Sequence, residues 1–359
     1  MKLLYLLPNP ELNGGNKVVF QHAELLRRLG HQVTIAAEGA RPTWVPFGGT
    51  YLDRTQTAQT TDRFDLVIAT YWTTVRQALD LDLGPVAHFC QGYEGSLEHL
   101  QPCLPEIEAV YREPLPTLVV SPHLAPFLRE RFGRESAIAP PSLDPRFTPE
   151  DRPGPGGIPW IALPGIFAAP VKGVPTALAA IARLRERGLP ARVLRFSILP
   201  LDAEERKQLE PDRYLCGVSP EVIAHEVASA DLLLLPSREG EGFGLPLLEA
   251  MAAGTPAVAS AIPSIRGFAT GAASLVPPGD SAAMADAAER LLLDRRKWLR
   301  ARRAGLAAAS RFRPEEVAAI VEGAVAWAAR KAGSRGLGAR TTEAGSGRRV
   351  APQTAGPLE

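Results

Sequence analysis

The chain has little of what marks secreted, zinc-binding or nucleic-acid-binding proteins. Its 359 residues include three cysteines, Cys90, Cys103 and Cys216, which are too few and too scattered for a disulfide framework or a zinc site. We therefore expect core thiols in a reducing compartment. The formal net charge of +1 argues against a nucleic-acid partner. Lysine is scarce, with six among forty basic residues, so the chain strongly prefers arginine.

Long hydrophobic runs are missing as well. The apolar run before Pro8 is too short for the hydrophobic segment of a signal peptide, and it predicts a first strand instead. No run approaches the roughly 18 apolar residues that a membrane span requires. The sequence predicts a cytoplasmic protein, for which any membrane contact is peripheral at the inner membrane face. From Gly333 to Glu359 aliphatic residues are rare, which predicts a disordered tail.

Short apolar runs alternate with helical patterns in two successive series. Residues 1–148 carry the first series, which includes the predicted helices Lys17 to Leu29 and Pro122 to Phe132, the latter with Ser121 as its N-cap. A segment rich in Pro and Gly, 149–157, predicts a hinge, and residues 158–312 carry the second series. Repeated βα alternation predicts an α/β protein with two Rossmann-like domains, each with a parallel sheet covered by helices on both faces.

Two carboxylates flank a glycine-rich entrance to a helix in the second series. Glu241 and Glu249 have GFGLPLL between them, after an apolar strand at residues 232–236. Bare glycine backbone and the unpaired N–H groups of a helix start predict an anion site. A carboxylate one turn into the helix can accept hydrogen bonds from the vicinal hydroxyls of a ribose. The alternative, a capping box, requires Ser or Thr where Pro246 stands.

This stretch resembles glycosyltransferase family 4, whose hallmark is two glutamates separated by seven residues within EGFGLPxxEAMAxGxP. The resemblance implies the GT-B fold, in which two facing Rossmann-like domains enclose the active-site cleft, with a last helix, 313–332, crossing back to the first domain. It also implies that Glu241 contacts hydroxyls of a donor sugar and that Glu249 holds the nucleotide ribose. Gly242 and the amides around Phe243, Gly244 and Leu245 then line the sugar and phosphate site. The sequence PSLDPRFTP, with Asp144, Phe147 and Pro149, resembles the interdomain signature of the family.

A second motif, GIFAAPVKG, follows a strand and places Lys172 before a helix. A lysine beside a diphosphate stabilises the charge that develops on the leaving group, although a solvated loop lysine is the alternative. The family pattern has an arginine where this chain has Ile166. Loss of that contact costs roughly 2–4 kcal/mol of transition-state stabilisation unless another cation replaces it, and Arg238 is our candidate.

The first domain is expected to contribute through Asn13-Gly14-Gly15-Asn16, which resembles the family's glycine loop at the donor phosphates. An ordinary βα turn also favours Asn and Gly. Gln91 stands where many family members have a histidine, so it can donate hydrogen bonds but cannot titrate. His88 is either a substitute or a core residue. The loop from Gln91 to Cys103 is the candidate for acceptor contacts, and QGYE with VYREPL resembles a subgroup that transfers deoxyhexoses.

Asp80 and Asp82 form a DxD sequence of the kind that binds a divalent ion in the other large glycosyltransferase fold. They lie beside Gly84, where acidic residues are common in solvated turns, and we predict no metal and no other cofactor.

The family resemblance thus implies a retaining, metal-independent glycosyltransferase of polysaccharide biosynthesis, which moves a hexose-type sugar from a nucleotide diphosphate sugar to a hydroxyl acceptor. The expected catalytic residues are Glu241, Lys172 and Gln91. The expected donor-binding residues are Gly14, Gly15, Lys172, Arg238, Glu241, Gly242, Phe243, Gly244, Leu245 and Glu249. Two alternatives stay open. One is a nucleotide-sugar epimerase of the same fold, and the other is a non-catalytic subunit that binds a sugar nucleotide.

Overall fold

The computed structural model describes residues 1–339, which form two α/β domains. The first domain has a seven-stranded parallel sheet in the order β3-β2-β1-β4-β5-β6-β7. Its strands are β1 (Lys2–Leu6), β2 (Gln32–Ala36), β3 (Thr50–Leu52), β4 (Leu66–Ala69), β5 (Val86–Cys90), β6 (Thr117–Val119) and β7 (Ser136–Ile138). Its helices are α1 (Gly14–Arg28), α2 (Arg54–Gln59), α3 (Trp72–Leu81), α4 (Leu104–Arg112) and α5 (Leu124–Phe132). Two 3-10 helices, Glu94–Ser96 and Glu98–Cys103, precede α4.

The second domain repeats this plan with a six-stranded parallel sheet in the order β10-β9-β8-β11-β12-β13. Its strands are β8 (Trp160–Pro164), β9 (Arg192–Ser197), β10 (Arg213–Cys216), β11 (Leu232–Leu235), β12 (Ala257–Ser260) and β13 (Ser274–Val276). Its helices are α6 (Val174–Glu186), α7 (Ala203–Gln208), α8 (Pro220–Ser229), α9 (Leu245–Ala252), α10 (Pro263–Ala269), α11 (Ser281–Leu293) and α12 (Arg295–Ala309). The predicted α/β class with two Rossmann-like domains is confirmed.

Both sheets reverse their strand order at one point, between β1 and β4 in the first domain and between β8 and β11 in the second. Ligands of open parallel sheets bind outside the carboxyl ends of the strands at such switch points. The central strands form because they are continuous apolar runs, and residues 3–7 and 232–235 are almost entirely shielded from solvent. This topology directs the loops after β1, β8 and β11 toward a shared cleft.

Two helix starts differ from the sequence prediction. Helix α1 begins at Gly14 rather than Lys17, because the Asn13 side chain accepts a hydrogen bond from the Asn16 N–H and caps the helix earlier. Helix α5 begins at Leu124, so Ser121 is not its N-cap. The Ser121 hydroxyl is instead paired with the His123 ring at 2.9 Å.

The last helix, α13 (Pro314–Ala339), packs on the first domain, although it follows the second domain in the chain. It contacts α1 and strands β4 to β7, and it buries Val317, Val321 and Val325 there. Helix continues past Gly333, the predicted start of the disordered tail, because a nucleated helix propagates residue by residue. The rest of that predicted tail, residues 340–359, lies outside the described residues. In residues 1–339 no helix is both long and apolar enough to cross a membrane.

Candidate active site in the interdomain cleft

A cavity of about 470 Å³ lies between the two domains, at the switch points of both sheets. The first domain contributes the start of α1, together with Gln91 after β5. The second domain contributes Gly165 and Ile166 after β8, as well as the loop between β11 and α9. Of the predicted site residues, Gly14, Gly15, Gln91, Lys172, Glu241, Gly242, Phe243, Gly244, Leu245 and Glu249 all line this cavity.

The loop after β11 is held in place by aromatic packing. The Phe243 ring stacks on Phe268 at 4.6 Å and meets Phe312 edge-on at 5.5 Å. Gly244 then caps α9 in a left-handed conformation with φ of 94°, where a side chain is disfavoured. No side chain caps α9; Pro246 has no N–H, and the N–H groups of Leu247 and Leu248 bond to the Gly244 carbonyl, so the helix start offers the Leu245 N–H and a positive dipole end to the cavity.

Glu241 forms an ion pair within the second domain. Its Oε2 accepts hydrogen bonds from Lys172 Nζ at 2.8 Å and from Ser237 Oγ at 3.1 Å. Lys172 ends the short 3-10 helix Pro170–Lys172, and about a third of its side chain is exposed. The lysine of this pair is thus partly solvated, whereas the carboxylate is 12% exposed, and both lie in the cavity wall.

Glu249 forms a second ion pair, which joins the two domains. Its Oε1 accepts from Lys17 Nζ on α1 at 2.5 Å, and the same ammonium lies 2.8 Å from Asp144 Oδ2 in the linker signature. Arg146 binds Asp144 through two nitrogens, at 2.8 and 2.7 Å. The side chains of Lys17, Asp144 and Glu249 are each at most 13% exposed. Lys17 is therefore buried between two carboxyl groups at the domain boundary, and the less buried Arg146 also pairs with the exposed Glu221 at 2.6 Å.

The pKa values in this buried cluster follow from burial and charge. Burial lowers the pKa of Lys17, but Glu249 and Asp144 more than reverse this effect and leave the pKa above its usual value. Burial raises the pKa of Asp144, yet its bonds with Arg146 and Lys17 prevail and hold the pKa at about 2. Burial raises the pKa of Glu249, and the Lys17 ammonium opposes that rise. Lys17 is thus an ammonium clamped between two carboxyl groups.

The two glycines of α1 bring the first domain close to the second. A Cβ on Gly14 would lie 3.4 Å from Leu245 Cδ1 at the start of α9, so the N-termini of α1 and α9 approach each other across the cavity. A Cβ on Gly15 would lie 3.4 Å from Nε2 of Gln91. Two helix N-termini at one cavity concentrate N–H donors and positive dipole ends, which is the arrangement that binds phosphates.

Gly242 allows the loops of the two domains to touch. A Cβ at this position would lie 1.7 Å from the carbonyl oxygen of Gln91, far inside contact distance. Gln91 lines the 470 Å³ cavity and a second cavity of about 590 Å³ that lies largely in the first domain. The Gln91–Gly242 contact therefore marks the boundary between two adjoining cavities.

Arg238 and Ile166 differ in their relation to the cleft. Ile166 lines the cavity where the family pattern has arginine, whereas Arg238 is exposed and is not among the lining residues that the structure describes. The backbone of Arg238 donates its N–H to the carbonyl of Val171 at 2.8 Å and accepts from the N–H of Glu241 at 3.2 Å. The cations that line the cavity within residues 1–339 are Lys17 and Lys172.

His88 and the DxD aspartates lie away from the cavity. His88 is fully buried beside Arg134, with Nδ1 2.9 Å from Nη1, and burial and that guanidinium hold its pKa well below the usual value. It is a core residue. Asp82 ends α3 in an exposed left-handed turn near Arg63. Within residues 1–339 no group of three or more His, Cys, Asp or Glu has an arrangement suited to a metal ion.

The cysteines are only partly as expected. Cys90 is a buried core thiol, Cys103 is half-buried and Cys216 is exposed at the end of β10.

Sequence reasoning missed the role of Lys17. Two features of the sequence could have indicated it: Lys17 is one of only six lysines, and it follows Gly14 and Gly15 within the first turn of the same helix. Asp144 was recognised only as part of the interdomain signature, and Ser237 was not singled out. The contacts of Lys17 with Glu249 and Asp144 join segments that are far apart in the chain, so spacing alone does not predict them, whereas Ser237 lies only four residues before its partner Glu241.

Residues 159–294 match the family model described as Glycosyl transferases group 1. The chain is 33% identical over 251 residues to a D-inositol 3-phosphate glycosyltransferase of Geodermatophilus obscurus, which covers 58% of this chain and 55% of that protein. It is 45% identical over 86 residues to a phosphatidyl-myo-inositol mannosyltransferase of Mycobacterium leprae, which covers 23% of each. The chain thus spans about half or less of these curated relatives.

Two solved structures resemble the chain over most of its length. Sucrose-phosphate synthase of Thermosynechococcus elongatus is 21% identical with a TM-score of 0.72, and the match covers 94% of this chain and 99% of that one. Anabaena HepE in complex with UDP and glucose is 15% identical with a TM-score of 0.75, and the match covers 91% and 99%. Together with the two facing sheets, these similarities show that the chain has the GT-B fold.

Proposed function

We propose that this chain is a retaining glycosyltransferase of the family 4 type, which moves a hexose-type sugar from a nucleotide diphosphate sugar to a hydroxyl acceptor. One observation carries the proposal. Glu241 and Glu249, each paired with a lysine, line a single cavity between two Rossmann-like domains, with the start of α9 between them. Carboxylates suit the hydroxyl-bearing ends of a nucleotide sugar, and helix N–H groups suit the phosphates between those ends.

The nucleoside end of the donor fits the apolar side of the cavity. Phe196, Ile198, Val218 and Ile223 line this side and offer a surface for a nucleobase. Glu249, about one turn into α9, accepts hydrogen bonds from the ribose hydroxyls. Lys17 orients Glu249, since it holds Oε1 at 2.5 Å and leaves Oε2 for a hydroxyl donor.

The diphosphate fits beside Lys172 and the N-termini of α1 and α9. Ile166 removes the arginine of the family pattern, and Lys17 is the other cation in the cavity wall among the described residues. The side chain of Arg238 is exposed outside this lining, so the proposal assigns it no contact with the diphosphate. Lys172 exchanges its partner Glu241 for phosphate oxygens when donor binds, and this exchange frees Glu241 for the sugar hydroxyls.

The chemical step needs no nucleophile from the protein. The bond between the anomeric carbon and the β-phosphate oxygen breaks, and a bond from that carbon to the acceptor oxygen forms on the same face. The acceptor proton passes to the departing β-phosphate oxygen, so charge and atoms balance within the two substrates. The protein positions the reactants and stabilises the leaving phosphate through Lys172 and the helix starts. Metal is not required for this step.

A second candidate is a non-catalytic subunit that binds a sugar nucleotide. Ile166 favours it, because the arginine of the family pattern is missing, and so does Gln91, which cannot titrate. Such a subunit binds donor but never releases nucleotide from it.

Nucleotide binding and turnover test the proposal together. Anabaena HepE was crystallised with UDP and glucose, so UDP-sugars are the first donors to try, followed by GDP-, dTDP- and ADP-sugars in a thermal-shift panel. We expect one base to stabilise the protein and its sugar donor to release nucleotide in the presence of EDTA. Proton NMR of the product should show a retained anomeric configuration. An inverted product contradicts the retaining mechanism, and stabilisation without nucleotide release favours the non-catalytic alternative.

A further inference from the structure

The second cavity, of about 590 Å³, adjoins the proposed donor site. The two cavities share Asn13, Gly15 and Gln91 in their walls. Apart from Gly240, the described residues that line the second cavity belong to the first domain. A molecule bound here therefore lies next to the point where Gln91 meets the loop of Glu241.

The wall of this cavity is polar but almost uncharged. Its side chains include asparagine and glutamine amides and the hydroxyls of Thr70 and Tyr71. Within residues 1–339 its wall contains neither lysine nor arginine, in contrast to the first cavity, which has Lys17 and Lys172, and its imidazole, His99, is exposed. The starts of α1 and α3 reach this wall through Gly15 and Tyr71, but a phosphate group placed here finds no lysine or arginine to replace the water it loses, and burying an unpaired charge is strongly unfavourable.

One carboxyl group, Glu94, lies in this wall and is 7% exposed. It accepts a hydrogen bond from the Tyr111 hydroxyl and meets the backbone N–H of Trp72 at the start of α3. Thr70 and Tyr71, directly before Trp72, line the same cavity. Burial raises the pKa of Glu94 to about 7, against the opposing effect of the Tyr111 bond. A buried carboxylate repels an anionic ligand and accepts hydrogen bonds from neutral hydroxyls.

We propose that this cavity binds the acceptor as an uncharged polyhydroxyl compound, a sugar or polyol without phosphate, and that one of its hydroxyls donates a hydrogen bond to Glu94. This proposal rests on the proposed function, because it assigns the acceptor class to the cavity beside the donor. Glu94 is then a specificity-determining residue. It selects hydroxyl groups over phosphate groups at the same position of an acceptor.

Matched pairs of neutral and phosphorylated compounds test this assignment. Saturation-transfer NMR at pH 8, where Glu94 is largely ionised, compares methyl glucoside with glucose 6-phosphate, methyl mannoside with mannose 6-phosphate, and myo-inositol with inositol 3-phosphate. We expect at least one neutral compound to bind. The dissociation constant of its phosphorylated partner should be higher by about tenfold or more. Binding of none of the neutral compounds, or equal binding of a phosphorylated partner, overturns the proposal.

A variant locates the binding at Glu94. E94Q keeps the shape of the side chain and can still accept from Tyr111, but it removes the charge that strengthens the bond to a hydroxyl. We expect E94Q to raise the dissociation constant of the neutral compound about fivefold. E106Q, at an exposed carboxylate on α4 outside both cavities, is the matched control and should change nothing. An unchanged constant in E94Q contradicts the role of Glu94.

Nucleotide release from a sugar donor is measured separately on the same protein. If neutral compounds bind selectively but no donor releases nucleotide, the proposed transfer fails while the cavity assignment stands. If nucleotide is released but the phosphorylated partners bind as well as the neutral ones, the acceptor class fails alone.

Discussion

The two lysine–carboxylate pairs in the cleft differ in burial and in what they join. Lys17 and Glu249 come from different domains, are at most 13% exposed and share Asp144. Lys172 and Glu241 come from one domain, and the lysine is 35% exposed, although Glu241, at 12%, is as buried as Glu249. A buried pair cannot be opened without leaving a charge unpaired, whereas a partly solvated pair separates at little cost.

Because of this difference, we assign the two pairs different roles in the site. The buried pair joins the two domains and fixes one oxygen of Glu249, so it is part of the architecture as well as of the proposed ribose site. Both members of the second pair line the cavity, where we propose that they exchange each other for phosphate and sugar groups. Similar residue types can thus serve stability in one place and ligand exchange in another, and the surroundings decide which.

Removing the lysine of the buried pair is expected to have the largest effect. Lys17→Met keeps most of the stem but leaves Glu249 and Asp144 without their shared cation, and breaking such a pair costs about 3–5 kcal/mol. Chemical denaturation should show this loss in the free energy of unfolding. Lys331→Met, which removes an exposed pair with Glu135 on the first domain, is the control and should cost less than about 1 kcal/mol. Equal losses in both variants contradict a special role for the buried pair.

Removing the lysine of the solvated pair should affect turnover instead of stability. We expect Lys172→Met to lower kcat about 100- to 1000-fold, as loss of a group that stabilises developing charge does, with the melting temperature nearly unchanged. Lys207→Met, at an exposed lysine on α7, supplies the control. If Lys172→Met instead loses as much stability as Lys17→Met and keeps its kcat, both pairs serve stability and the proposed difference between them is wrong.

Glu94 is a buried carboxyl without a lysine partner, and it shows what pairing contributes. Its neighbours include the Tyr111 hydroxyl, the Cys90 thiol, Arg134 and the Trp72 N–H of α3. Its folded pKa of about 7 lies above the unfolded value of 4.5, so the folded state binds the proton more tightly. Stability is then lost as pH rises from about 4.5 through 7, by up to about 3 kcal/mol.

Glu94→Gln removes this titration while the other groups stay the same. The variant and the parent should unfold with similar free energies at pH 5, and the variant should become the more stable of the two by pH 8. Denaturation at both pH values measures the difference, in which the remaining carboxylates cancel. A constant difference across this range contradicts a raised pKa for Glu94.

The carboxylates of the two pairs should separate nucleotide binding from sugar transfer. We expect Glu249→Ala to weaken nucleotide binding by about 1.5–3 kcal/mol, the range for a hydrogen bond to a charged group. Glu241→Ala should lower the rate of transfer while nucleotide affinity is largely kept. Calorimetric titration with the nucleoside diphosphate and steady-state kinetics measure the two properties. Equal loss of both in each variant refutes this division.

The fold was predictable because its strands are continuous apolar runs between clear helix patterns. The sequence predicted both parallel sheets and the break between them, and the structure confirms the two-domain α/β architecture. It did not predict α12, because this arginine-rich helix buries only Trp298, Gly305 and Ala309 and so has little apolar periodicity. It also missed β3, a strand of three residues with none fully buried.

The site was predictable where its residues lie in one motif and unpredictable where they come from distant segments. Glu241 and Glu249 were found from their spacing, and Lys172 from its place before a helix. The contact of Lys17 with Glu249 joins residues separated by 232 positions, and only the approach of the two domains creates it. Local spacing identifies a binding loop, but the partner that the other domain supplies depends on tertiary structure.

The smallest expected effect concerns Arg238, which the sequence offered as a replacement for the arginine lost at Ile166. Its side chain is exposed outside the cavity wall, and its N–H bond to Val171 belongs to the backbone and survives mutation. Arg238→Ala should therefore leave kcat and donor affinity within about twofold of the parent, as is usual for surface substitutions. Ile166→Arg is the complementary variant and should raise kcat, since it restores a cation to the cavity wall beside Lys172. A reduction of turnover by about tenfold in Arg238→Ala would contradict this expectation. It would mean that the loop moves and brings the guanidinium to the phosphates, so that Arg238 acts as a third cation beside Lys17 and Lys172.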